Sequence, residues 1–113
     1  MRPVSIGATP TANTLTTLYT VPKGYYASLI RLHASNATAS NKHVTFSWYD
    51  SSAAATYNLT FEYLVNSKTY LDLDSNSSAI AVLEENDTLS VTTESASTFA
   101  VAVTFEIEGN QRA

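Results

Sequence analysis

The stretch TFAVAVTFEIE, residues 98–108, decides the fold. Phe99, Val101, Val103, Phe105 and Ile107 recur at every second position. Thr98, Ala100, Ala102, Thr104, Glu106 and Glu108 fill the places between. Side chains alternate across a strand, so this period of two marks a β-strand with one face buried. A single sheet would leave that apolar face wet, so a second sheet must cover it.

Working outward, the same pattern recurs. Residues 43–50 set Val44, Phe46 and Trp48 inward against Thr45, Ser47 and Tyr49. Residues 56–65 set Tyr57, Leu59, Phe61, Tyr63 and Val65 against Asn58, Thr60 and Glu62. Residues 69–74 and 88–93 offer Leu71 with Leu73, and Leu89 with Val91. Residues 15–21 form a strand closed by the turn signal Pro22-Lys23-Gly24. Residues 25–35 present Ile30, Leu32 and Ala34 inward, with Arg31 and His33 outward, and residues 79–83 are short and apolar. No window carries a helical period. About eight short strands at this spacing predict an all-β fold. The expected architecture is a single antiparallel β-sandwich, jelly-roll or immunoglobulin-like. Residues 1–13, with Pro3, Gly7 and Pro10, read as an extended N-terminal arm, leaving the sandwich to residues 14–113.

Composition narrows the function. The chain has 113 residues, enough for one domain with its own core. It has no cysteine, which excludes disulfides and thiolate-held metals. Only 14% of residues are charged, against about 25% in an average domain, while Ser and Thr number 14 and 16. The net charge is −4 and the six cations are scattered singly, so nucleic acid is not an expected partner. The longest apolar run, around Phe99–Val103, is too short to span a bilayer, and no membrane partner is expected. The N-terminus lacks a hydrophobic signal segment, which predicts a protein made in a cytosol and either kept there or released by a route that needs no signal.

Catalytic constellations are missing. His33 and His43 are the two histidines, and neither lies in a nucleophile context or at metal-ligand spacing. Asp72, Asp74, Glu84, Glu85 and Asp87 form the one acidic concentration, which lacks the ligand spacing of a calcium loop and reads as a solvated turn. No cofactor is expected. Four Asn-X-Ser/Thr sequons, at Asn36, Asn58, Asn76 and Asn86, are what so hydroxyl-rich a chain produces largely by chance. Outward Tyr49 and Tyr70 are candidate interface anchors or sugar platforms. Met1, Arg2, Pro3, Val4 and Ile6 join them as interface candidates, because an extended arm can add a strand to a neighbour's sheet.

Three segments carry a resemblance. LYTVPKGYYASLIRLHASNAT (residues 18–38), VTFSWYDSSAAATYNLTFEYLV (44–65) and LEENDTLSVTT (83–93) resemble small virion structural proteins of tailed bacteriophages, cyanophage-like in character. The third segment is close to a Leu-x-x-Gly-Asp-x-Leu-x-Val turn, with Asn86 in the glycine's place. The resemblance implies a non-enzymatic β-sandwich that decorates or cements a capsid, or sits at a neck or tail. It implies other virion proteins as partners, the major capsid protein first, and a homo-oligomer such as a trimer. It also implies assembly in the host cytoplasm and residence in the virion. A carbohydrate-binding module is the alternative of another class.

Overall fold

The computed structural model describes residues 2–74 and 78–109. Among them there is no helix, and nine strands form two antiparallel sheets packed as a sandwich. The strands are β1 (Arg2–Ala8), β2 (Thr16–Thr20), β3 (Tyr25–Asn36), β4 (Lys42–Asp50), β5 (Ala55–Val65), β6 (Tyr70–Asp74), β7 (Ala81–Leu83), β8 (Thr88–Thr93) and β9 (Phe99–Gly109). The first sheet runs β1-β9-β3-β6, and the second runs β2-β8-β4-β5. β6 pairs with residues 31–35 of β3 and β7 with residues 27–29, on the edge of β3 away from β9. Together they occupy one strand position, so nine strands fill the eight places of a jelly roll.

The core lies between the sheets. Phe99, Val101, Val103, Phe105 and Ile107 are all buried, as the alternation of β9 requires. They meet Phe46, Val44, Leu89 and Val91 of the second sheet, with the Tyr19 ring 5.1 Å from that of Phe105. Each such side chain removed from water contributes about 1.5–3 kcal/mol, which offsets the ordering of the strands.

Two strands break the simple alternation. In β3, Leu29 pairs with Phe105 and Arg31 with Thr104, so Ile30 is an extra residue at a bulge. The bulge shifts the phase. Ala27 and Leu29 point inward before it, and Leu32 and Ala34 after it. Ile30, expected in the core, is therefore only half-buried. β5 carries two irregularities against β4, between the Val44 and Phe46 partners and between those of Phe46 and Ser47. Thr60 becomes a buried residue and Phe61 is 68% exposed, the reverse of the alternation expected over residues 56–65. The Phe46 N–H donates to Thr60 Oγ1 at 3.1 Å, so a side chain replaces a ladder bond where the bulge interrupts it.

The N-terminal segment also departs from expectation. Residues 2–8 are extended, but they are not a free arm. They pair with β9 of the same chain, from Arg2 with Ile107 to Ala8 with Val101. Val4 and Ile6 pack against the core. The segment alternates like any edge strand, Val4 and Ile6 in and Pro3 and Ser5 out, though Pro3 and Gly7 disguise the pattern in the sequence. The boundary at residue 13 therefore falls in the loop between β1 and β2, not between an arm and a domain.

Candidate interaction surfaces

The sandwich has four sheet edges, and they differ. β1 carries Pro3, which cannot donate to a further strand, and β2 is five residues long. β6 is also short and carries Asp72 and Asp74. β5 is the exception. It spans 11 residues with Glu62 as its one charge. Tyr57 (48% exposed), Phe61, Tyr63 (49%) and Leu64 (57%) stand along it in solvent. Its two bulges twist the backbone but do not cover these side chains. A long apolar edge without lysine or proline is the kind that ordinarily pairs with another chain.

The outer faces of the two sheets differ in charge. On the first, Arg31 makes two hydrogen bonds to Asp72, from Nε at 2.8 Å and from Nη2 at 2.9 Å. The bonded Arg31 guanidinium holds the Asp72 carboxyl below the usual carboxylate range. His33 stacks on Tyr70, ring centres 5.2 Å apart, with Nδ1 3.8 Å from Asp72 Oδ1. Glu106 and Glu108 lie on the same face, and Glu108 accepts a hydrogen bond from the Tyr26 hydroxyl. The second sheet presents Thr17, Thr88, Ser90, Thr92, Thr45, Ser47, Tyr49, Thr56 and Asn58 outward, none of them charged.

The sequence-predicted site residues are thus scattered. Tyr49 lies on the second sheet's outer face and Tyr70 on the first's, so one platform cannot use both. Pro3 is exposed, whereas Val4 and Ile6 are half-buried against their own core. Arg2 takes its place in β1, and Met1 lies outside the described residues. The acidic residues are not brought together. Among the described residues no three His, Cys, Asp or Glu stand close enough to share a metal ion.

Asp87 is the residue that sequence reasoning misread. It is 1% exposed rather than part of a solvated turn. Its carboxylate accepts hydrogen bonds from the Trp48 indole (3.1 Å), the Ser51 N–H (2.9 Å), the Ser51 hydroxyl (3.1 Å) and the Glu84 N–H (3.0 Å). Burial pushes this carboxyl up, but those donors together outweigh it and hold it below its ordinary value. Asp87 therefore ties the β7–β8 turn to the end of β4. Asn36 does the same at the other end, donating from Nδ2 to the carbonyls of Ser40 and Val65 while buried. A buried side chain so engaged cannot accept a glycan, which removes that sequon.

No family model matches the chain, and no curated protein matches it. Among solved structures it is similar to a chain from work described as "Bacillus endospore appendages form a novel family of disulfide-linked pili". The identity is 16%, the TM-score 0.50, and the match covers 95% of this chain and 84% of that one. At that identity the likeness speaks for a shared β-fold.

Proposed function

We propose that this chain is a non-enzymatic structural protein that self-associates through β5. We further propose that it serves in a phage virion, decorating or cementing the capsid. The observation that carries the self-association is the uncovered apolar edge: Tyr57, Phe61, Tyr63 and Leu64 in solvent on a long strand without lysine or proline. A second copy is the occupant. The strand's bulges interrupt a continuous backbone ladder, so side-chain packing supplies most of the contact. Support also comes from the fold-mate, which is described as building pili, and from the resemblance of residues 18–38, 44–65 and 83–93 to virion proteins. This chain has no cysteine, so its assembly is non-covalent, unlike a disulfide-linked pilus.

Light scattering on a size-exclusion column tests the association. The native chain runs as an oligomer, and the double variant Phe61→Lys, Tyr63→Lys runs as a folded monomer with unchanged circular dichroism. A native chain that stays monomeric at every concentration would overturn the reading. Mass spectrometry of purified particles tests the location: hundreds of copies place it on the capsid, a few dozen at a neck or tail, and none rejects the virion role.

A further inference from the structure

We propose that the outer face of the second sheet holds a binding site for a neutral carbohydrate. The site is a shallow trough of about 220 Å³ between Leu15 and Tyr49. Two rungs of the sheet form it. Thr17, Ser90 and Ser47 lie side by side on β2, β8 and β4, and Thr88, Tyr49 and Thr56 lie side by side on β8, β4 and β5. Neighbouring strands are about 4.8 Å apart, so the hydroxyls form a regular array.

Three observations point to a ligand. Ser90 is only 6% exposed, yet its hydroxyl makes no hydrogen bond among the described residues, and it lines the trough. The hydroxyl opens on the trough, so a ligand seated there can both donate to it and accept from it. Among the described residues the hydroxyls of Thr17, Thr56, Thr88 and Tyr49 likewise make no hydrogen bond, and all four line the same trough. Finally, no charged residue lines the trough, whereas the opposite sheet's outer face carries Arg31, Asp72, Glu106 and Glu108.

The chemistry selects the ligand class. Without a cation the trough has nothing to hold a phosphate or a nucleic acid backbone. β8 and β4 are both paired on either side, so no free backbone edge at the trough's centre can receive a peptide strand. Hydroxyls both donate and accept, which matches the mixed hydroxyls of a sugar. The Tyr49 ring, 38% exposed, and the Leu15 side chain, 64% exposed, suit the C–H face of a pyranose. Bringing hydroxyls out of water costs less than bringing out ions, so a neutral polyol is the cheapest occupant. This site stands independently of self-association through β5.

Native affinity electrophoresis with mannan, dextran, laminarin, galactomannan or xylan in the gel tests the site, with alginate as the anionic comparison. At least one neutral polymer retards the native chain, and alginate does not. Tyr49→Ala weakens that retardation about tenfold, as loss of an aromatic platform should. The isosteric Thr17→Val and Thr88→Val changes on the exposed face weaken it several-fold while leaving the circular dichroism unchanged. Retardation by none of the five neutral polymers overturns the proposal. So does retardation that survives all three substitutions, or equal retardation by alginate.

Discussion

Asp87 concentrates more of the molecule's polar organisation than any other side chain described. Replacing it by Asn keeps one acceptor but turns an NH2 group toward donors that expect an oxygen. The expected cost is about 1–3 kcal/mol, read as a lower urea midpoint. The pH dependence follows from the sign of the shift. The folded carboxyl titrates below the unfolded one, whose value is about 3.9, so the native state holds fewer protons between the two. The native chain's advantage over Asp87→Asn is therefore complete above about pH 4 and is lost as the pH falls through the folded value. Urea midpoints of the two proteins measured down the acid limb should converge; parallel limbs would show that the charge is not what stabilises the turn. Backbone strain offers a second test. Ala54 has φ 51°, in the left-handed region that a β-carbon disfavours. Ala54→Gly should raise stability by about 0.5–1 kcal/mol, the steric relief less the entropy that glycine loses on folding.

At the scale of the element, β1 is the segment whose role changes most between sequence and structure. Its extended conformation was legible, from Pro3 and the absence of a helical period. Its partner was not, because Arg2 meets Ile107 across almost the whole chain. Removing residues 1–8 should cost about 1.5–3 kcal/mol for two half-buried aliphatics, and it also bares the edge of β9. Thermal unfolding of the truncated chain should show that loss, and a synthetic peptide of residues 2–8 should restore much of it. A truncated chain as stable as the full one would mean that β1 is only loosely laid on the sheet. β5 gives the complementary lesson. Its apolar residues read as core, but two bulges and an edge position leave Tyr57, Phe61 and Tyr63 in solvent. Strand composition carries the residues' affinity for burial; among the described residues no further strand of this chain pairs beyond β5 to cover them.

For the whole molecule, topology sets the folding rate. The β1–β9 and β3–β9 ladders join distant parts of the sequence, so loop closure must precede most of the rewarding contacts. Refolding from urea should take milliseconds to seconds, in the range of other all-β sandwiches, and stopped-flow fluorescence of Trp48 can follow it. Microsecond refolding would require a nucleus more local than this strand order provides. The same topology separates the two outer faces: the Arg31–Asp72 pair with Glu106 and Glu108 on one, a block of hydroxyls on the other. Hydroxyls at outward positions, such as Thr45 and Ser47, were legible in the alternation of residues 43–50. That β2, β8, β4 and β5 lay them side by side was not, since no local pattern encodes which strands become neighbours.

The sequence by itself determined the class. Period-two alternation, strongest in residues 98–108, permits few structures besides paired sheets, because side-chain direction in a strand is fixed by the backbone. The lack of cysteine equally determined that packing and hydrogen bonds, not cross-links, hold the fold. Tertiary structure decided the rest: that β1 closes on its own sheet, that Asp87 is buried, and that β5 is left bare while Ser90 lies in a trough. Each of these depends on what a side chain faces across a gap between strands remote in the chain, and that distance has no local signature.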